Sequence, residues 1–291
     1  MKKKTREKKK HPDGTQGTIL SREERLREIQ EFNLLSDVFL SVTLRDIPAC
    51  QHILRILTGI DDLTVKEVRT QYVIARIHSH DVRLDVLAED GEGKLYLIEI
   101  QRRDNVDHPR RLRYYGSLAD AEFLAKGKTY DELPERIHFY ISETDIWRQG
   151  KAVYPVTKQL GENGPVYDDG VHIIYVNAEV NDGSRVAKLM EYFKTADPMD
   201  DSEGELSKRV HYLKCEEGGV DVMCEISERI EKRGEERGEK RGEQRGEKKG
   251  SEKKAKMTAH NLFEMGMSPE QISRAVGEDI SAVKKWLAGT E

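Results

Sequence analysis

Cysteine is scarce in this chain of 291 residues, which has three: Cys50, Cys215 and Cys224. They are odd in number and show no C-x-x-C spacing, which excludes a disulfide framework and a cysteine zinc site. We therefore expect reduced thiols in a cytoplasmic protein. The sequence also has no apolar run of membrane-spanning length, and its basic start lacks the hydrophobic stretch of a signal peptide. These absences predict that no membrane is a partner.

Two common catalytic motifs are missing as well. There is no G-x-x-x-x-G-K-[ST] loop and no serine in a nucleophile-elbow context, so nucleotide hydrolysis is unsupported. The run His78-Ser79-His80-Asp81 offers two imidazoles on one strand face, as a zinc pair would. Because no further His or Cys lies nearby in sequence, we prefer to interpret this run as a polar connection between strands.

The composition predicts a core diluted by solvated segments, since 36% of the residues are hydrophobic and 35% are charged. The net charge of −5 argues against a uniformly basic nucleic-acid coat. Charge is nevertheless uneven: residues 1–10 carry seven Lys or Arg against one Glu, and residues 197–205 carry five acids and no base. Any DNA contact is therefore a local patch. The basic start is either a solubilising tail or a phosphate-binding arm.

Residues 82–101, VRLDVLAEDGEGKLYLIEIQ, predict a β-hairpin with acids on both strands. Asp85 is on the first strand and Glu99 and Gln101 are on the second, where residues two apart share a face. An Asp and a Glu held close on a rigid sheet form a hard-oxygen site for a divalent cation. The alternative is an ordinary half-buried hairpin whose carboxylates are solvated.

The turn decides whether the two acids meet. A two-residue loop would place Asp85 opposite Ile98, whereas a three-residue loop ending at Gly93 places Asp85 opposite Glu99. Three-residue hairpin loops typically end in a left-handed residue, a conformation that glycine adopts without penalty. The turn chemistry therefore permits the site.

The segments around the hairpin follow an order of helix, three strands, helix and strand. The predicted elements are helices at 34–44, 50–57 (ending at Gly59) and 109–125 (ending at Gly127), and strands at 65–77 and 136–142. This order resembles the core of the PD-(D/E)XK nuclease superfamily, and in detail its recombination-promoting nuclease and transposase branch. The motifs that carry the resemblance are SDVFL from Ser36, RLDVLAE from Arg83, YLIEIQR from Tyr96, RRLRYYGSL from Arg110 and KGKTYDELP from Lys126.

The resemblance covers roughly residues 33–177 and implies an α/β fold. The expected architecture is a restriction-endonuclease-like core, a mixed sheet flanked by helices, with a helical C-terminal extension. Strands at 151–156 and 171–177 and a helix at 186–193 would extend that core. Beyond them we predict an acidic loop and a helical segment at 206–230, interrupted by Gly218-Gly219.

The resemblance also implies roles for four side chains. Asp85 matches the Asp of the superfamily motif and Glu99 matches the Glu of its E-x-K or E-x-Q element, with Gln101 where many members have Lys. Asp37 matches an acidic residue on the first helix that often completes metal binding. The chain departs there from the Asp-x-x-Phe-Lys pattern of the branch, which leaves Asp46 as a competing candidate.

The implied chemistry is Mg²⁺- or Mn²⁺-dependent hydrolysis of DNA phosphodiester bonds. Asp85 and Glu99, with the backbone carbonyl of Ile100, would hold the ion, which polarises the phosphoryl oxygen and activates a water. Gln101 can orient that water through its amide but carries no charge.

Three arginines at the start of the next predicted helix offer a compensating cation and a DNA contact. They are Arg110, Arg111 and Arg113. Cations in the first turns of a helix oppose its dipole, which is unusual unless phosphates or carboxylates offset them. The alternative is a solvated basic face.

Residues 231–250 form a tetrapeptide repeat, EKRG EERG EKRG EQRG EKKG. Each interior Gly costs ~1 kcal/mol relative to Ala, and exposed ion pairs of ~0.2–0.5 kcal/mol each do not offset five of them. There is no apolar seam for a coiled coil. We predict a marginal, fraying helix that serves as a polar spacer.

The last segment predicts short helices joined by tight turns. Ser268, followed by Gln271 three positions later, has the pattern of a capping box. The arrangement resembles the helix-turn-helix modules of resolvases and of nucleases in this branch. In that case Lys284 and Lys285, on a third helix at 280–286, would face the major groove. The alternative is a helical cap or oligomerisation module, for which a second copy of the chain would be the partner.

The sequence therefore predicts a metal-dependent DNA endonuclease of the recombination-promoting or transposase-associated type. The predicted domains are a basic tail (1–30), a nuclease-like domain (31–195), an acidic loop with a helical extension (196–230), the repeat spacer (231–254) and a helix-turn-helix-like module (255–291). Two competing interpretations are a nuclease-fold protein that binds DNA without cutting it, favoured by Gln101, and an interaction protein whose terminal helices assemble partners.

Overall fold

The computed structural model describes residues 22–75, 81–102 and 107–288. The helices in these ranges are α1 (Arg22–Glu31), α2 (Asp37–Thr43), α3 (Ile47–Thr58), α4 (His108–Phe123), α5 (Arg185–Thr195), α6 (Glu205–Cys215), α7 (Glu217–Glu264), α8 (Pro269–Val276) and α9 (Ile280–Leu287). The strands are β1 (Val65–Ile74), β2 (Val82–Asp90), β3 (Leu95–Gln101), β4 (Arg136–Ser142), β5 (Val153–Val156) and β6 (Val171–Asn177). The alternative zinc pair, His78 and His80, lies outside the described residues.

The described strands form one mixed sheet in the order β1-β2-β3-β4-β6-β5. β1, β2 and β3 are antiparallel neighbours, β3, β4 and β6 run parallel, and β5 is antiparallel to β6. The parallel pair β3 and β4 is joined through α4, as parallel neighbours require a crossover. The predicted α/β class, a mixed sheet flanked by helices with a helical C-terminal part, is confirmed.

The hairpin of β2 and β3 has the three-residue loop, which is the alternative that the turn chemistry permits. Gly93 adopts a φ of 86°, in the left-handed region, and its N–H donates to the carbonyl of Asp90 at 3.2 Å. Val86 pairs with Ile98 and Leu87 with Leu97. This register, continued by one residue, places Asp85 opposite Glu99, so the predicted pairing is confirmed.

β2 and β3, the strands that carry the two acids, are covered on both faces. Every residue from Leu84 to Ala88 and from Leu95 to Ile100 is buried. α4 contributes Ala119 to the buried cluster on these strands, with Tyr115 and Leu118 packed against it. Strands buried on both faces have near-continuous apolar sequences, and Asp85 and Glu99 are therefore acids within the core.

The predicted element boundaries hold with local differences. β4 and β6 have the predicted bounds, and α5 extends the predicted helix at both ends. α3 begins at Ile47, before its predicted start, because Pro48 suits the first turn and Asp46 caps it by accepting from the N–H of Ala49 at 3.0 Å. α4 ends at Phe123, ahead of Gly127, because Leu124 turns into extended backbone.

The predicted interruption at Gly218-Gly219 is wrong. The break falls at Glu216, whose backbone is extended, and α7 runs through both glycines. A Cβ at Gly219 would lie 2.1 Å from the carbonyl oxygen of Tyr212. The glycine therefore permits the start of α7 to approach the end of α6, which is a packing role that local helix propensity does not reveal.

The chain divides into two compact units, with the boundary between Cys224 and Glu225. In the second unit α7 continues as helix through the whole tetrapeptide repeat. A Cβ built at any of the repeat glycines would have no atom within 4 Å, so no neighbouring segment requires glycine there. A small core of Ala259, Ile272 and Val283 joins the end of α7 to α8 and α9.

The turns of this second unit follow the predicted chemistry. Ser268 accepts from the N–H of Gln271 at 3.4 Å, and Gln271 accepts from the N–H of Ser268 at 2.9 Å, which completes the capping box. Gly277 ends α8 with a φ of 72°. None of the helices in the described part of the chain is long and apolar enough to cross a membrane.

Candidate active site

Asp85 and Glu99 are held together by the backbone of β2 and β3. The N–H of Asp85 donates to Oε1 of Glu99 at 3.4 Å, and Oδ2 of Asp85 accepts from the N–H of Ile100 at 3.0 Å. Each carboxylate is thus fixed by the neighbouring strand. The hairpin register brings the two predicted acids into one site.

Burial and mutual repulsion shape the protonation of this pair. Asp85 is 6% exposed and Glu99 is 4% exposed. Burial raises the pKa of Glu99 well above its ordinary value, and the charge of Asp85 adds to the effect. Burial likewise raises the pKa of Asp85, against the opposing hydrogen bond from Ile100. The site holds two acids whose charges are costly without a cation.

A cleft of about 530 Å³ opens onto these acids. Its other lining residues are Leu35, Asp37, Asp81, Arg83, Ile100, Gln101, Arg102, Arg111 and Tyr115. Asp37 lines the cleft from the start of α2, with Oδ2 3.6 Å from Nη2 of Arg83. The competing candidate, Asp46, serves as the cap of α3 and does not line it.

Gln101 and Arg111 form the polar wall of the cleft. Nη2 of Arg111 donates to Oε1 of Gln101 at 2.8 Å. The positive charge of Arg111 also lowers the pKa of both Asp85 and Glu99, in opposition to burial. Of the three arginines predicted to supply a cation, Arg111 is the one brought to the carboxylates.

The remaining predicted DNA contacts are not among the residues that line the cleft. Arg110 and Arg113 are exposed on α4 and do not line the cleft. Lys284 and Lys285 are exposed on α9, in the second unit, and Nζ of Lys284 lies 3.6 Å from Oε1 of Glu270.

Several residues in or beside the cleft were not predicted as site residues, and three of them interact with the two carboxylates. Arg83 lies two positions before Asp85, so strand alternation could have placed it on the same face. Tyr115 lies one helical turn after Arg111, which a helix also predicts. Nε2 of Gln71 donates to Oδ1 of Asp85 at 3.4 Å. Gln71 has a φ of 51°, and no sequence pattern predicts this left-handed conformation.

The oxygen donors of this site suit a hard divalent ion, although the side chains present would fill only part of its coordination shell. Across residues 22–75, 81–102 and 107–288, no three His, Cys, Asp or Glu side chains converge as a metal site. Asp85 and Glu99 supply carboxylate oxygen donors in a buried position, where the two acids repel each other when both are ionised. Mg²⁺ is commonly bound by one or two carboxylates while it keeps several waters, so this donor set suits it.

The comparison with known families is consistent with this geometry. A family model of PD-(D/E)XK nuclease family transposases matches residues 51–238, which is more than half of the chain and includes Asp85, Glu99, Gln101 and Arg111. Asp37 precedes the matched segment. No curated protein and no solved structure gave a significant match. The chain belongs to the family of PD-(D/E)XK nuclease transposases.

Proposed function

We propose that the protein is a Mg²⁺- or Mn²⁺-dependent endonuclease that hydrolyses phosphodiester bonds of DNA. The observation that carries the proposal is the buried pair of Asp85 and Glu99 at the base of an open cleft. A buried pair of like charges costs stability, and a bound cation offsets that cost. The family membership supports DNA as the substrate.

The two carboxylates and the backbone carbonyl of Ile100 would hold the ion. When bound, it supplies Lewis-acid activation of the phosphoryl group and of water. The hydrogen bonds from Ile100 and from the N–H of Asp85 fix the carboxylates before the ion arrives. Such preorganisation avoids reorganisation during the reaction.

Gln101 has a restricted role in this arrangement. Its Oε1 already accepts from Arg111, so its amide NH₂ is left to donate to water or to a phosphate oxygen. Arg111 supplies the positive charge that Gln101 lacks, and its planar guanidinium suits phosphate oxygens. Together they would orient substrate and stabilise developing negative charge.

The deciding experiment is nicking of supercoiled plasmid with Mg²⁺ or Mn²⁺. We expect the wild type to cleave and a folded Glu99→Ala variant to be inactive. Equal cleavage by both would assign the activity to another site or a contaminant.

One competing function is favoured by a specific residue. Gln101 stands where many members have Lys, which is compatible with a nuclease fold that binds DNA without cutting it. Retention of DNA with no cleavage by wild type or variant would select that function. Absence of DNA binding by the full chain would leave the alternative of a helical interaction protein.

A further inference from the structure

The segment that follows β4 lies beside the cleft. β3 and β4 are parallel, with Gln101 paired to Ser142, so residues after Ser142 leave the sheet at the end where Gln101 lines the cleft. Nε of Arg102, a cleft residue, lies 3.5 Å from Oε2 of Glu143. Residues 143–151 therefore begin beside the edge of the cleft.

Asp145 fixes the conformation of this segment. Its Oδ1 accepts from the N–H of Arg148 at 3.0 Å and from the hydroxyl of Tyr154 at 2.8 Å, and its Oδ2 accepts from the N–H of Gly150 at 2.9 Å. Arg148 has a φ of 52°, an unfavourable conformation for a side-chain-bearing residue. A strained backbone persists where its surroundings over-determine it, and such positions cluster at functional sites.

The segment presents Trp147, a residue that is 41% exposed. The ring makes edge contacts with His108 at 5.4 Å and Tyr175 at 5.3 Å between centroids. His108 in turn contacts Tyr140 at 5.6 Å, and the guanidinium of Arg111 lies 5.8 Å from the centre of the Tyr140 ring. A continuous row of rings thus connects a cleft arginine to an exposed tryptophan.

Charges of both signs surround Trp147. The nearby acids keep their negative charge while they pair or accept hydrogen bonds within the protein: Glu143 pairs with Arg102, Asp145 accepts from its own loop, and Glu179 accepts from the N–H of Asp145 at 2.7 Å. Arg148 and Lys151 are exposed on the same segment. Neither makes a side-chain ion pair with another described residue, so both cations are accessible to phosphates.

We propose that Trp147 stacks on a nucleobase of a single-stranded DNA segment that leaves the cleft, while Arg148 and Lys151 contact its phosphates. The proposal rests on the proposed nuclease function and adds a strand-holding surface to it. An aromatic ring stacks on any base, so the contact is independent of sequence. Bases inside a duplex are already stacked, so an exposed ring selects an unpaired strand.

The test uses the full chain with Ca²⁺ replacing Mg²⁺, so that binding is measured without cleavage. The chain has two tryptophans, so in a Trp286→Phe background the fluorescence reports Trp147. We expect a single-stranded oligonucleotide to quench this fluorescence and an abasic oligonucleotide of equal length to leave it unchanged. Unchanged fluorescence at saturating single-stranded DNA would overturn the proposal without requiring any variant of Trp147.

Variants give a second readout. Trp147→Ala should weaken binding of single-stranded DNA by roughly tenfold to a hundredfold, and Trp147→Phe should retain most of it. Tyr130→Ala is the matched control, since Tyr130 is 84% exposed but precedes β4, at the opposite end of the strand. Equal binding by the wild type and a folded Trp147→Ala variant would refute the stacking contact. If that result is accompanied by plasmid cleavage by the wild type, the proposed nuclease function stands and only the stacking contact fails. If the wild type binds no DNA, the nuclease function and the stacking contact both fail.

Discussion

Nη2 of Arg111 donates to Oε1 of Gln101 at 2.8 Å, which joins a side chain of α4 to the last residue of β3. This contact brings a permanent positive charge beside Gln101, whose own side chain is neutral. Nε of Arg111 is buried and makes no hydrogen bond within the described residues. Buried donors without a partner are rare in folded proteins, which marks Arg111 as a candidate functional residue.

Arg111→Ala is expected to reduce plasmid cleavage by roughly 100-fold, the usual cost of removing one donor that stabilises transition-state charge. Arg113→Ala is the matched control, because that arginine is exposed on the same helix and outside the cleft. Rates at saturating plasmid would separate the two. The acidic limb of the pH–rate profile should also move to higher pH in Arg111→Ala, because Arg111 lowers the pKa of Glu99. Equal losses in both variants would contradict the assigned role.

The stability of the metal-free protein should fall as pH rises above about 4.5, the ordinary pKa of a glutamate. Between that value and the raised pKa of Glu99, the folded protein holds a proton that the unfolded chain has released, so increasing pH favours unfolding. Thermal unfolding in a chelator, compared between wild type and Glu99→Gln, isolates this effect. We expect Glu99→Gln to flatten the profile and to be the more stable protein at neutral pH. Added Mg²⁺ should stabilise the wild type more than the variant, and the reverse order would argue against a metal at Glu99.

Gln71→Gly should separate stability from activity. Gln71 lies opposite Asp85 between β1 and β2 and has a φ of 51°. Glycine would relieve about 1 kcal/mol of backbone strain, but would remove the hydrogen bond to Oδ1 of Asp85. We expect a higher midpoint of thermal unfolding together with slower cleavage. Gln71→Ala, which keeps the strain and loses the bond, should be slower without the gain in stability.

Much of the central fold could be predicted from local chemistry. Loop length and the left-handed preference of Gly93 fixed the hairpin register, and that register brought Asp85 to Glu99. Strand alternation could have predicted the position of Arg83, and helical spacing could have predicted that of Tyr115. The backbone of Gln71 and the choice of Arg111 among three arginines were not, because both depend on packing between distant segments.

Gly219→Ala and Gly238→Ala should have opposite effects, although both glycines lie in α7. A Cβ at Gly219 would meet the carbonyl oxygen of Tyr212 at 2.1 Å, whereas a Cβ at Gly238 meets nothing within 4 Å. Overpacking of this kind costs about 1–3 kcal/mol, while glycine to alanine in an open helix gains about 1 kcal/mol. Chemical denaturation for the first variant and helix content by circular dichroism for the second would check these values. Gly219→Ala with wild-type stability would show that the two helices can move apart freely.

Replacement of Lys284 and Lys285 by alanine tests the second unit. If α9 contacts DNA phosphates, the double variant should weaken DNA binding and reduce the salt dependence of affinity by about one unit of slope per lysine. The control is the double alanine variant of Lys253 and Lys254, exposed lysines on α7. Binding isotherms at several salt concentrations distinguish the variants. Identical slopes would favour a helical cap or assembly module in place of a DNA contact.

Asp85 and Glu99 lie inside the sheet, so the residues that would cut DNA are also residues that oppose folding. A neutral replacement of either acid relieves a desolvation penalty, and the loss of chemistry then coincides with a gain in stability. Selection on cleavage is therefore what would keep the pair acidic. In related sequences that are no longer selected for cleavage, mutation of these acids to uncharged side chains would be tolerated readily. The fold would then persist after the cleavage activity is lost.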